Sequence, residues 1–239
     1  MIENMVISMN VVFSDFRHAL RSPWFALSTV ALVFSLWLDL GTDSYWLLHG
    51  GPADAMLLLK NAMCGAGSIL SLPLLSALPC SANAYQELSN GSARMAIFRC
   101  GRPVYIFSKL LCLLCMTLLS QAIGILLFTR ILLFFCPHCT TPFPYLIFLS
   151  RLLAAMFFST LGGVSALLAK DSVSACAIPT AFSFSLSLLA SRFFIATPGI
   201  NPLSWLSGEP EMLLLLRFIL TAVSLLYVMI LRLEMNQYV

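Results

Sequence analysis

Residues 81–109 have the sequence SANAYQELSNGSARMAIFRCGRPVYIFSK and form the longest polar interruption in an otherwise apolar chain. Apolar runs long enough to cross a bilayer lie on both sides of this stretch. It carries four of the chain's 13 basic residues, namely Arg94, Arg99, Arg102 and Lys109. Because loops rich in Lys and Arg are retained on the cytoplasmic side, we expect this loop inside the cell and orient the other segments from it.

The composition excludes an ordinary soluble domain. Hydrophobic residues make up 60% of the chain and charged residues 10%, and the mean hydropathy is +0.94. The apolar runs are continuous, whereas an outer-membrane β-barrel would alternate every two residues. Helices also satisfy every backbone polar group within lipid. We therefore predict an all-α integral membrane protein. Its small net charge of +3 favours contact with the lipid bilayer and its headgroups, and we expect no nucleic-acid partner.

The polar breaks predict a single transmembrane domain over residues 1–239, with six spans and both termini in the cytoplasm. The spans are expected at about residues 24–40, 55–79, 104–135, 145–168, 173–194 and 211–231, with a cytoplasmic loop at 81–103. Residues 9–21 place apolar and charged side chains on different helical faces, which is typical of a helix lying on the membrane surface. The alternative is a cytoplasmic lead-in that continues the first span. Pro23 favours a bend between the two.

This arrangement resembles the permease subunits of type-2 ATP-binding-cassette transporters. In that family the loop between the second and third spans carries an acidic residue, a glycine, a short helix, arginines and a lysine that opens the third span. The corresponding features here are Glu87, Gly91, residues 93–98, Arg99, Arg102 and Lys109. The resemblance covers essentially the whole chain by topology, but its specific residues are confined to the stretch 81–109.

The resemblance implies a non-catalytic membrane subunit of an ATP-driven exporter in a bacterial plasma membrane. Two such subunits, identical or homologous, would pair above two ATPase subunits that bind ATP and magnesium. The chain contains no G-x-x-x-x-G-K-S/T phosphate loop, so we expect ATP hydrolysis in a separate chain and no cofactor in this one. The implied cargo is hydrophobic or amphipathic, such as a peptide, a drug or a lipid-like molecule.

The resemblance also implies which residues couple the loop to the ATPase. These are Tyr85, Glu87, Gly91, Arg94, Arg99 and Arg102. A polar helix between two spans can fit a cleft on a soluble ATPase and convert its closure into movement of the attached spans. The alternative is an ordinary basic connector without a partner.

Charged and aromatic residues within the spans are candidates for a substrate path. Arg151 and Arg217 lie inside apolar segments, where charges are expensive and often mark pathways or pairs. Phe157 and Phe182 are candidate aromatic contacts for an amphipathic cargo. The alternative is that both arginines snorkel to the outer interface and that the aromatic residues serve helix packing.

The motif Cys136-Pro-His-Cys139 falls in a predicted outer loop. Its two cysteines are candidates for a disulfide, for unpaired thiols or for thiol exchange, but a metal site lacks a fourth ligand and is not predicted. A stand-alone membrane thiol-disulfide oxidoreductase using this loop is the alternative function. An intramembrane peptidase is disfavoured because no H-E-x-x-H, paired-glutamate or G-x-S-x-G motif occurs.

Overall fold

The computed structural model describes residues 13–41, 43, 54–136, 140–193, 199, 201–202 and 204–238. Every regular element within these ranges is helical, which confirms the all-α prediction. Four helices in the described chain are long and apolar enough to cross a membrane. Two further pairs of helices qualify when each bent pair is treated as one span, which gives up to six spans. The chain is therefore a multi-pass helical membrane protein by length and composition.

The helices are, in chain order, α1 (Phe13–Arg21), α2 (Pro23–Asp39), α3 (Ala55–Met63), α4 (Ala66–Ala77), α5 (Asn83–Ser89), α6 (Ser92–Cys100), α7 (Arg102–Phe135), α8 (Tyr145–Ala169), α9 (Ser174–Phe193) and α10 (Pro210–Tyr238). A short 3-10 helix at Ser204–Leu206 precedes α10. The predicted spans 104–135, 145–168 and 173–194 agree closely with α7, α8 and α9. The last helix continues well beyond the predicted end at residue 231.

The boundary between α1 and α2 is sharp because two residues specify it. The Ser22 side chain accepts a hydrogen bond from the Trp24 amide, and Pro23 occupies the first turn of α2. Both features favour a helix start, and the axes of α1 and α2 meet at 58°. The bend predicted at Pro23 is confirmed. Of the predicted surface helix, residues 9–12 lie outside the described ranges.

The second predicted span, at residues 55–79, is made of two helices. These helices, α3 and α4, are separated at Cys64–Gly65 and bent by 64°. We call Cys64–Gly65 the helix break. The polar contacts that stabilise it come from distant parts of the chain and are described below.

The bundle is organised around α8, which packs against α10, α9, α4 and α7. Small residues allow these close approaches. A Cβ atom added at Gly162 would lie 2.5 Å from the Ala175 carbonyl oxygen, and one added at Gly163 would lie 2.8 Å from the Tyr227 ring. Small residues at helix interfaces are typical of membrane proteins, where backbones approach closely to gain packing contacts. The α2 helix packs on α7 and α4 at the side of this centre.

Candidate functional site

The central polar loop is folded into two short helices. Its first half forms α5 and its second half forms α6, which includes the helix predicted at residues 93–98. Gly91 separates them with φ of +74°, and Gly101 separates α6 from α7 with φ of +81°. L-residues with a side chain rarely adopt such backbone angles, so glycine at both turns allows the chain to reverse direction twice. The α5 helix was not predicted.

A buried cluster of charges connects this loop to the rest of the molecule. The Lys109 Nζ atom lies 2.6 Å from Oε1 of Glu87 and 2.9 Å from Oδ1 of Asp15. The Lys109 side chain is 7% exposed, compared with 20% for Asp15 and 31% for Glu87. We call Asp15, Glu87 and Lys109 the charged cluster. It joins α1, α5 and α7.

The remaining carboxylate oxygens of the charged cluster also have partners. The Tyr105 hydroxyl donates to Oε2 of Glu87 at 3.1 Å, and the Ser108 hydroxyl donates to Oδ2 of Asp15 at 2.6 Å. The Lys109 ammonium also lies 5.2 Å from the centroid of the Tyr105 ring. Charges removed from water are tolerated when every group is paired and hydrogen-bonded. The cluster is therefore a specific joint between three elements.

The α6 helix presents an exposed face on the other side of the loop. Ala93 and Ile97 are buried against a core that includes Tyr105 of α7. Phe98, by contrast, is 91% exposed and Met95 is 65% exposed. Arg94 and Arg99 are exposed beside them. The helix therefore carries a patch of two large apolar side chains flanked by two arginines, which we call the α6 patch.

Only three of the six predicted coupling residues, Glu87, Arg94 and Arg99, belong to these two features. Arg94 and Arg99 lie at the α6 patch, and Gly91 forms the turn before it. Glu87 faces inward to Lys109 and is not part of the exposed patch. Arg102 donates to the Asn236 side chain of α10 at 2.9 Å. Tyr85 is half-buried against the core beneath α6.

Burial of the Cys100 thiol at the end of α6 raises its pKa. Its Sγ atom donates to the Ala96 carbonyl oxygen at 3.0 Å. A thiol that stays protonated is a poor nucleophile, so Cys100 has the character of a structural residue of the loop.

Arg151 is fully buried, so it does not snorkel to an interface. Its guanidinium donates to the Met63 carbonyl oxygen at 3.0 Å and to the Ser68 carbonyl oxygen at 3.4 Å. The first of these carbonyls belongs to the last turn of α3. Such carbonyls lack a partner within their own helix, and the C-terminal end of a helix attracts cations. Arg151 thus donates the hydrogen bond that the Met63 carbonyl oxygen at the C-terminal side of the helix break lacks.

Asp39 accepts hydrogen bonds from the backbone amides on the other side of the helix break. Its carboxylate accepts hydrogen bonds from the Gly67 amide at 3.0 Å and from the Ser68 amide, both in the first turn of α4. A Cβ atom added at Gly67 would lie 2.9 Å from Oδ1 of Asp39, so glycine allows this approach. A carboxylate at the N-terminus of α4 and an arginine at the C-terminus of α3 together stabilise the helix break.

The residues predicted for a substrate path do not share one surface. Arg151 and Phe157 are buried, and the Phe157 ring packs against Trp205 with centroids 5.6 Å apart. Phe182 and Arg217 are exposed on α9 and α10. A role for any of them in transport stays a prediction.

The outer cysteine motif is described only at its first residue. Cys136 is a buried free thiol, whereas Pro137, His138 and Cys139 lie outside the described residues. The candidate disulfide between Cys136 and Cys139, like its alternatives, therefore stays a hypothesis. At the opposite end of α7, the Sγ atoms of Cys80 and Cys112 lie 3.6 Å apart. Within the described residues no group of three or more histidine, cysteine or acidic side chains is arranged to hold a metal ion.

The sequence analysis singled out Lys109 and Glu87 but did not predict that Asp15 pairs with Lys109 or that Asp39 stabilises the helix break. The sequence did indicate that Asp39 and Lys109 have partners. Both residues lie in or next to apolar runs, where a charge requires a partner. Which partner each finds depends on how the helices pack.

No protein-family model, curated protein or solved structure matches this chain.

Proposed function

We propose that this chain is the membrane subunit of an ATP-driven transporter of the type-2 ATP-binding-cassette kind, in which a separate subunit binds and hydrolyses ATP. The observation that carries the proposal is the α6 patch. Exposed apolar patches mark interaction sites, and Phe98 is almost completely exposed on α6 within a polar loop. The basic character of the loop supports a cytoplasmic location, where a soluble ATPase is accessible.

The partner surface follows from the chemistry of the patch. Phe98 and Met95 require an apolar slot, and the flanking arginines Arg94 and Arg99 favour carboxylates at its rim. Such a slot on an ATPase surface would hold α6 as a unit. The helix is too short to be stable alone, so it is stabilised by packing on α5 and α7.

The charged cluster supplies the transmission from the α6 patch to the spans. Movement of the loop displaces Glu87, which is bound to Lys109 near the start of the 34-residue α7. Asp15 shares the same ammonium, so α1 moves with them. Any intermediate position of the helices would leave a buried charge of the cluster unpaired, which is costly. The charged cluster therefore favours switching between discrete packings of the helices.

The wider assembly follows from the same resemblance. Two such chains would pair around a translocation path in a bacterial plasma membrane, with both termini in the cytoplasm and two ATPase subunits bound below. The cargo is a hydrophobic or amphipathic molecule. Within this chain no residue takes a catalytic role, and ATP and magnesium belong to the ATPase.

Site-specific photo-crosslinking tests the proposal directly. A photoreactive amino acid in place of Phe98 should crosslink in native membranes to a protein that contains a phosphate-binding loop, identified by mass spectrometry. The matched control is Phe218 of α10, which is 73% exposed but lies within a long apolar helix. It should crosslink to lipid. Crosslinking of position 98 to lipid alone would place α6 on the membrane and overturn the proposal.

Two variants separate binding from transmission in the co-purified complex. Phe98→Asp should release the ATPase from the membrane subunit. Glu87→Gln should retain the ATPase but reduce the stimulation of ATP hydrolysis by cargo, because it weakens the bond to Lys109. If Glu87→Gln leaves stimulation unchanged, the charged cluster is not the transmission element.

A further inference from the structure

A polar cleft lies between α1 and the first turn of α5. Its volume is about 610 Å³. The residues that line it are Ser14, Arg17, His18, Arg21, Ser22, Pro23, Trp24, Asn83 and Gln86. Ser14, Arg17, His18 and Arg21 follow the helical spacing i, i+3, i+4 and i+7, so a single face of α1 forms one wall.

The described lining of the cleft is cationic. Arg17 and Arg21 are exposed, and in the described part of the chain neither forms an ion pair. No described residue that lines the cleft is acidic. The one acidic residue of α1, Asp15, is held in the charged cluster by Lys109. Among the described residues, the cleft therefore presents two arginines without an acidic partner, and hydroxyl and amide groups add further hydrogen-bond donors.

The cleft is preformed because α1 is fixed on its other side. Ala19 is fully buried in a small core with Cys80, Cys112 and Met116, and Phe16 packs against it. The ion pair of Asp15 with Lys109 provides a second attachment. The positions of Arg17 and Arg21 are thus set by contacts that do not involve the cleft.

A second, mostly apolar cavity adjoins the cationic cleft. It has a volume of about 310 Å³ and shares Trp24, Asn83 and Gln86 with the cleft. Its remaining wall comes mainly from the end of α4 and the start of α9 and consists mainly of small and aliphatic side chains, among them Ala77, Leu78, Val173 and Ala175. A ligand that fills both cavities has an anionic end and an apolar end.

We propose that these two cavities bind an anionic phospholipid of the membrane. The phosphate accepts hydrogen bonds from Arg17 and Arg21, whose planar guanidinium groups match phosphate oxygens. Trp24, which is half exposed where the two cavities meet, packs at the level of the glycerol backbone, as tryptophan does at membrane interfaces. The first part of one acyl chain occupies the apolar cavity. A free phosphate has the same anionic chemistry but leaves the apolar cavity unfilled.

The test uses the full-length chain purified in mild detergent and depleted of lipid. Phosphatidylglycerol, phosphatidylcholine and inorganic phosphate are titrated in parallel, and bound molecules are counted by native mass spectrometry. We expect one phosphatidylglycerol to bind in preference to phosphatidylcholine. Equal binding of the two lipids would overturn the proposal, as would binding of inorganic phosphate that phosphatidylglycerol does not displace.

Paired variants locate the site. Each basic residue near an anionic lipid contributes about fivefold in affinity, so Arg17→Gln with Arg21→Gln should weaken phosphatidylglycerol binding about 25-fold. The control is Arg192→Gln with Arg232→Gln, which removes two exposed charges outside the cleft and should preserve the affinity. Equal loss in both pairs would show a diffuse charge effect and refute the site. No ATPase is needed, so failure here leaves the proposed function untouched.

Discussion

Replacement of Lys109 by methionine removes the centre of the charged cluster while keeping the length of the side chain. Lys109 lies 2.6 Å from Glu87 and 2.9 Å from Asp15, so the substitution leaves two carboxylates without a counter-ion. Removing one partner of a fully buried pair costs about 3–5 kcal/mol. Because the two carboxylates retain 20% and 31% exposure and can regain water, we expect a loss of about 2–3 kcal/mol.

The assay is equilibrium unfolding in mixed micelles, followed by circular dichroism as the denaturing detergent is increased. Lys60→Met is the matched control, since Lys60 is exposed on α3, and it should change the free energy of unfolding by less than about 0.5 kcal/mol. Adding Asp15→Asn and Glu87→Gln to Lys109→Met should recover much of the loss, because no unpaired charge remains. If Lys109→Met behaves like Lys60→Met, the three residues do not form a buried joint.

Three other predictions concern single positions. Asp39→Ala removes the acceptor at the start of α4 and should destabilise the fold by about 1–2 kcal/mol, whereas Asp39→Asn should cost less, as judged by the same unfolding assay. Gly162→Ala should cost about 1–3 kcal/mol because its methyl group meets a backbone carbonyl that cannot move aside; a neutral result would refute this close approach. The hydrogen bond from the Thr140 hydroxyl, with those from backbone amides, holds the pKa of Asp54 well below its usual range. Stabilisation by Asp54 is therefore complete above the ordinary carboxyl pKa and is lost as the pH falls toward the lowered one. The difference in stability between wild type and Asp54→Asn should shrink on acidification, and a constant difference would contradict the assignment.

Long apolar segments were predictable because their signal is local. The segments that form α7, α8 and α9 are each predominantly apolar over a length that crosses a bilayer, and their bounds were placed close to the observed ends. The bend at Pro23 was also predicted, since proline restricts the backbone wherever it occurs. The short helix around residues 93–98 was implied by the family resemblance.

The break between α3 and α4 was not predictable in the same way. The stretch from Ala55 to Pro79 is apolar enough to form one helix, and Gly65 and Gly67 indicate only that something approaches closely. What stabilises the break is a carboxylate from α2 and a guanidinium from α8. The sequence positions of Asp39 and Arg151 do not indicate which backbone groups these side chains bind.

The sequence by itself determined that this chain is a helical membrane protein with a basic loop between two of its spans. Hydropathy and helix propensity are sums over neighbouring residues, so membrane insertion and helix formation can be predicted without knowing which helices pack together. Only the tertiary structure decided that Glu87 faces inward to Lys109 and Asp15 while Phe98 faces outward. A buried charge needs a partner in space, and the packing of α1, α5 and α7 determines which residue provides it.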